Sequence, residues 1–286
     1  MAISLESLVE RAKEGEKRAL EELVLRIQDR IYGLALRMLY YPDDAKDETQ
    51  EILIKIITHL GRFRGESRFM TWAYSVASNH LLTNRKSRVK RRELTFEISE
   101  TMIEEGLSYS GNQVYNESEQ ILMVEEMKLL CMQTLLRCLS PENRITFILG
   151  DVFGVTSLEG GQILDITSDS FRKRLSRARK MILDFMAAQC GLFNPDNRCH
   201  CEKIFPCYVE KTGTIDPKNM LFADHPCRPK KSNEARENMN EFDELMRMTL
   251  LFRSHPDYAA PDAFVDIIRE LIKSERFEML QSDEKS

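Results

Sequence analysis

The stretch from Leu20 to Met38 constrains the fold of this chain more than any other. Leu20, Leu23, Val24, Ile27, Ile31, Leu34, Ala35 and Met38 return at three- and four-residue steps, which places them on one stripe of a helix. The pattern resumes after Pro42, with Asp43 or Asp44 as the expected N-cap and Ile52, Leu53, Ile56, Ile57 and Leu60 as the inward face. A third helix is expected from near Ser67, with Phe69, Trp72, Ala73 and Val76 facing inward. Nothing reads as a sheet, so the fold class is all-α. A chain of 286 residues has room for two or three small domains.

No apolar run is long enough to span a bilayer. The first residues, MAISLESLVERAKEGEKRALEEL, are amphipathic and charged, unlike a signal peptide. A cytoplasmic location with no membrane partner is the expectation.

The net charge of −5 conceals a strong segregation. Arg85, Lys86, Arg88, Lys90, Arg91 and Arg92 place six cations in eight residues, and Arg172, Lys173, Arg174, Arg177, Arg179 and Lys180 place six in nine. Between Glu93 and Glu126 there are nine acidic residues and no basic one. A polyanion responds to local fields within a Debye length, so both clusters suit nucleic acid despite the sum. The second expected helix carries Asp44, Asp47, Glu48 and Glu51 on one face, a surface that repels DNA and suits a basic protein partner.

The chain divides into a helical domain over 1–92 and an acidic linker over 93–120 that shows no periodicity and reads as flexible. A second helical domain covers 121–189, and a cysteine-containing extension covers 190–286, with two further helices near 234–253 and 262–273. Within the second domain a helix-turn-helix is legible. Leu158–Leu164 forms the first helix, Asp165-Ile166-Thr167 the turn, and Ser168 the cap of the second. Phe171, Leu175, Ala178 and Ile182 make the buried stripe, which leaves Ser170, Arg172, Lys173 and Ser176 outward, where a recognition helix meets bases and phosphates. Gly160 and Gly161 weaken the first helix by about 1 kcal/mol each relative to Ala.

These segments resemble a known family. DDAKDETQEILIKIITHLGRFRGESRFMTWAYSVASNH looks like region 2 of the sigma-70 superfamily in its extracytoplasmic-function (ECF) group, and LSPENRITFILGDVFGVTSLEGGQILDITSDSFRKRLSRARK looks like its region 4. The likeness spans about residues 15–187. It implies a sigma factor that binds core RNA polymerase through the β′ and β subunits, directs it to promoter DNA and helps open the duplex, with no catalytic residues of its own. Asp44, Asp47, Gln50 and Glu51 then correspond to the surface gripping the β′ coiled coil. The stretch holding Arg68, Tyr74, Asn79, Asn84, Arg85, Lys86 and Arg88 corresponds to the part that melts and reads the −10 element. Ser168, Ser170, Arg172, Lys173, Ser176 and Arg177 fall in the helix that reads the −35 element. An anti-sigma protein is a further partner that the resemblance admits.

The sequence departs from the family at Gly160, where a hydrophobic residue is usual, and at Asp165, where glycine is usual. Thr83 stands where an aspartate is common, and Arg85 where an apolar residue is. Rival readings are a free-standing helix-turn-helix regulator, which would need neither the acidic helix nor the aromatic-basic one, and a metal- or redox-sensing protein. The last rests on Cys190, Cys199, Cys201, Cys207 and Cys227, spaced C-x8-C-x-C-x5-C-x19-C beside His200 and His225. Clustered cysteines inside a cell argue for thiolate–metal or redox chemistry over structural disulfides. Cys190, Cys199, Cys201 and Cys207 are the expected ligands of one zinc or other soft or borderline ion, with Cys131 and Cys138 read as core.

Overall fold

The computed structural model of the chain describes residues 3–83, 94–111, 114–223, 227–228, 244–254, 256–261, 264 and 269–270. Among them the N-terminal unit holds α1 (Leu5–Lys13), α2 (Lys17–Leu39), α3 (Pro42–Thr58), a 3-10 turn at Leu60–Arg62 and α4 (Phe69–Thr83). Next come α5 (Phe96–Leu107), α6 (Glu117–Cys138) and α7 (Pro141–Phe147), which runs into a π turn at Ile148–Val152. α8 (Ser157–Leu164) and α9 (Ser168–Gln189) follow, then α10 (Cys201–Glu210) and α11 (Glu244–Arg253). Among the described residues two short strands pair antiparallel, β1 (Cys227–Arg228) with β2 (Asp257–Tyr258).

Local chemistry sets the helix starts. The Ser4 side chain accepts from the Ser7 amide at α1. Asn116 with Glu119, and Thr156 with Glu159, form reciprocal capping boxes at α6 and α8. α3 begins at Pro42 with Tyr41 as its cap residue, one position before the aspartates expected there. α2 ends where Tyr40 turns to φ 77°. α9 is capped by Thr167, whose hydroxyl accepts from the Ser170 amide at 3.1 Å, so Ser168 is the first helical residue and not the cap.

α2 is the axis of the molecule. Its first half buries the expected stripe, but every residue from Ile31 to Met38 is buried, Tyr32, Leu36 and Arg37 included. A helix covered all round is packed on more than one side. One side holds α3 and α4; the other receives α6, α7 and β2. Arg144 of α7 ties the units together, donating to the carbonyls of Leu136 at 2.7 Å, Arg137 at 3.0 Å, Leu139 at 3.2 Å and, across the junction, Met38 at 2.7 Å.

The stretch read as a featureless linker contains a helix. α5 starts at Thr95, whose hydroxyl accepts from the Ile98 amide, and buries Ser99, Ile103 and Gly106. Small residues occupy two of those three inward positions, which erases the hydrophobic period. A methyl group on Gly106 would lie 2.8 Å from the Ile204 side chain, so the glycine is what lets α5 close against α10.

The extension is likewise built into the helix-turn-helix unit. Glu126 of α6 is 1% exposed, and its carboxylate accepts from three successive amides, Leu221 at 2.9 Å, Phe222 at 3.0 Å and Ala223 at 2.6 Å. The packing therefore runs straight across the boundary expected at Cys190.

Candidate nucleic-acid interface

The helix-turn-helix is assembled around one exchange of volume. A methyl group on Gly160 of α8 would lie 2.2 Å from the Phe171 ring of α9, and one on Gly161 would lie 2.8 Å from the Ile166 carbonyl. The glycines read as a weakness are where the large Phe171 and the turn fit. Asp165 takes the left-handed cap at φ 51° and ψ 49°, a conformation that aspartate tolerates better than most residues other than glycine.

With Phe171, Leu175, Ala178 and Ile182 buried, α9 presents Ser170, Arg172, Lys173, Ser176 and Arg177 to solvent, while Ser168 is half-buried. Asp169 holds two of these cations, Lys173 at 2.8 Å and Arg172 at 3.3 Å. Hydrogen bonds from Lys173 and then Arg172 keep its carboxyl below the usual range. Arg179, counted in the same basic cluster, is committed elsewhere. It grips the buried Asp151 of the π turn with two nitrogens, at 2.6 and 2.9 Å.

In the N-terminal unit Asp47 and Glu51 of α3 are exposed, and Asp44 and Gln50 are half-buried. Glu48 leaves the acidic stripe: its carboxylate meets Nε2 of the buried His80, whose Nδ1 lies 2.7 Å from Lys55 Nζ.

α4 departs from expectation at its centre. Asn79 is exposed and the Arg68 side chain is 83% exposed, 3.7 Å from Glu159 of α8. Tyr74, which the resemblance places among the DNA-contacting residues, is 4% exposed and stacked on Phe153, ring centroids 5.6 Å apart at 23°. Burial pushes its phenol up to about 12, against the pull of Arg30. The same Phe153 ring carries the Arg37 guanidinium at 5.7 Å. Asn84, Arg85, Lys86 and Arg88 lie outside the described residues. Phe153 and Arg37 were invisible as partners of Tyr74 because their meeting depends on how the two units pack.

Of the expected ligands, Cys190, Cys199 and Cys201 line one cavity of about 420 Å³, but Cys207 is buried off its wall. Cys131 of α6, read as core, takes that place on the wall. The Cys190 and Cys199 backbones are bridged, with the Gly191 amide donating to the Cys199 carbonyl at 2.9 Å. Burial raises all four thiols, Cys199 and Cys201 to about 12. Among the described residues no three His, Cys, Asp or Glu side chains form a group that could hold a metal ion. The side chain of Cys227 lies outside them.

An acidic helix face, an aromatic helix and an exposed basic recognition helix define a protein that engages DNA and a large protein partner. Residues 23–91 match sigma-70 region 2, and residues 129–182 match sigma-70 region 4. The chain is 29% identical over 180 residues to the RNA polymerase sigma-H factor of Pseudomonas aeruginosa, covering 62% of this chain and 91% of that one. It is 30% identical over 176 residues to the ECF RNA polymerase sigma-E factor of Escherichia coli K12, covering 61% and 90%. The sigma-E factor of Salmonella typhimurium LT2 matches at the same 30%. The chain belongs to the ECF RNA polymerase sigma factors. It is a sigma factor for promoter-directed initiation, a role that brings it to core RNA polymerase and promoter DNA. Among the described residues no helix is long and apolar enough to cross a membrane.

Proposed function

We propose that the two regions divide the work by surface. The exposed carboxylates Asp47 and Glu51, flanked by Asp44 and Gln50, face the β′ subunit, and the outer face of α9 reads the −35 element through Arg172, Lys173, Ser176 and Arg177. Arg68, Tyr74 and Asn79 of the α4 segment, with the basic run after it, handle the opened −10 strand through stacking and phosphate contacts. The observation that carries this is the separation of charge: acid stays on α3, and base is presented by α9 with its apolar stripe fully buried. The β subunit and an anti-sigma protein competing for the α3 face complete the partner set, in the cytoplasm, with no chemistry catalysed by the chain itself. Run-off transcription with purified core polymerase, with and without this protein, tests the reading on genomic promoter fragments. Transcripts must depend on the protein.

A second reading concerns the cysteines. Cys131, Cys190, Cys199 and Cys201 share their cavity with Met102, Met127, Met132 and Met186, a wall of thiols and thioethers whose softness suits a soft or borderline cation. We propose that such an ion is held by these four thiols, with Cys131 in place of Cys207. The side chains would have to draw together and lose their protons, so occupancy would rise with pH. About one equivalent of metal in protein purified under reducing conditions, lost when Cys199 and Cys201 become Ser, is the expected result.

A further inference from the structure

Asp169 stands where an acid is least expected. It is the second residue of α9 and falls in register with Arg172, Lys173 and Ser176 at i, i+3, i+4 and i+7, so all four share a stripe turned away from the buried one. Its side chain is 57% exposed, and its carboxylate holds Lys173 at 2.8 Å and Arg172 at 3.3 Å. Hydrogen bonds from Lys173 and then Arg172 favour its ionised form. A helix that lays this face into the major groove therefore carries a negative charge in with its cations. That charge sits at the N-terminal end, where recognition helices meet base edges.

DNA can answer such a charge in few ways. The phosphates repel it, and so do the acceptors that line the groove: O6 and N7 of guanine, N7 of adenine and O4 of thymine. Two groups there donate, the N4 amine of cytosine and the N6 amine of adenine. They are not equivalent. The adenine amine lies beside that base's own N7 lone pair, which opposes a carboxylate, whereas the cytosine amine is flanked by a C–H edge. The guanine paired with that cytosine offers O6 and N7, the acceptors that Arg172 or Lys173 would take. A carboxylate has about four lone-pair sites, so it can accept from its two cations and a base amine together.

We infer that Asp169 is a specificity-determining residue of this sigma factor, accepting from the N4 amine of one cytosine in the −35 element. The inference rests on the reading of α9 as the −35 helix and adds to it the identity of one base pair. An acid in the first turn also suits the helix dipole. That role leaves base preference untouched, so sequence preference separates the two.

The test assembles the full chain with core polymerase and transcribes a promoter library randomised across the −35 element, with transcripts counted by template. The wild type should favour cytosine at one position by about tenfold, the discrimination of one good base contact. Asp169→Ala should flatten that position to less than about twofold and leave preferences elsewhere in the element in place. Asp169→Asn should move the preference there to adenine, whose N6 and N7 match a side-chain amide. A wild-type profile with no cytosine preference anywhere in the element overturns the inference, even if no variant folds. So does a cytosine preference that survives Asp169→Ala while Arg172→Ala with Lys173→Ala reshapes the profile. In that case α9 still reads the element and Asp169 only steadies the helix. If none of these variants changes the profile, the −35 assignment of α9 falls and the inference falls with it.

Discussion

The two helices proposed to read DNA are placed in opposite ways. α9 keeps a dry inner stripe and an open outer face, on which Arg172 and Lys173 are held by the exposed Asp169 of the same helix. α4 has its central aromatic shut beneath a ring from the other unit. Duplex recognition needs a helix laid into an accessible groove, and α9 is ready for that as it stands. Handling an unpaired strand needs an exposed stacking surface. An apolar aromatic left open would be a liability until DNA arrives, and α4 hides it. On the proposed assignment of the two helices, upstream recognition is preformed and downstream recognition is conditional.

The largest expected effect tests the acidic face of α3. Asp47→Lys with Glu51→Lys should abolish binding to core polymerase by more than about 100-fold, the scale of losing two charge pairs at an interface. Pull-down of core at wild-type strength by a folded double variant would mean that the open acidic face is not the grip. Next, Gly160→Ala drives a methyl group into Phe171 and should destabilise the α8–α9 pair by about 1–3 kcal/mol, read as a lowered melting midpoint. Combining it with Phe171→Leu should recover part of the loss, and a lone Gly160→Ala as stable as wild type would show the pair is loosely packed. Arg172→Ala with Lys173→Ala should cost about 1–3 kcal/mol at the upstream element if either makes a good base contact. Unchanged upstream protection in holoenzyme footprints would break the assignment of α9.

The smallest effect reports directly on the covered helix. The Tyr74 phenol is raised to about 12 by burial, against about 10 in an unfolded chain. The folded state therefore favours the neutral form. Its stability is unaffected below pH 10 and falls as pH rises from about 10 toward 12, where only the unfolded chain ionises. Subtracting the ultraviolet titration of Tyr74→Phe from that of the wild type isolates this phenol. A midpoint near 12 is expected, and one near 10 would mean that Phe153 does not cover it in solution.

Much of this was legible in the residues. The stripes of α2 and α9 announced both helices and their buried faces, because their inward positions hold large aliphatic and aromatic side chains at unbroken spacing. α5 was missed because Ser99 and Gly106 stand at inward positions and leave no period to see. Tyr74 was misplaced for a different reason: a single helix shows which residues lie off its own stripe, but not what another unit lays on top of them. That Cys131 lines the cavity while Cys207 does not was hidden on the same ground, since it depends on α6 packing on α10. The family's usual apolar residue at Gly160 drew attention to the right position, and only the Phe171 ring explained it.

The carboxylate of Glu126 has a practical corollary for anyone who cuts or grafts this molecule. A fragment ended at Cys190, just past the family likeness, would retain the buried carboxylate of α6 and discard the three amides that donate to it. Losing donors to a buried charge typically costs several kcal/mol, enough to unfold a small helical unit. The transplantable module thus ends no earlier than Ala223, and a shorter one should be rescued by replacing Glu126 with an apolar residue of similar size.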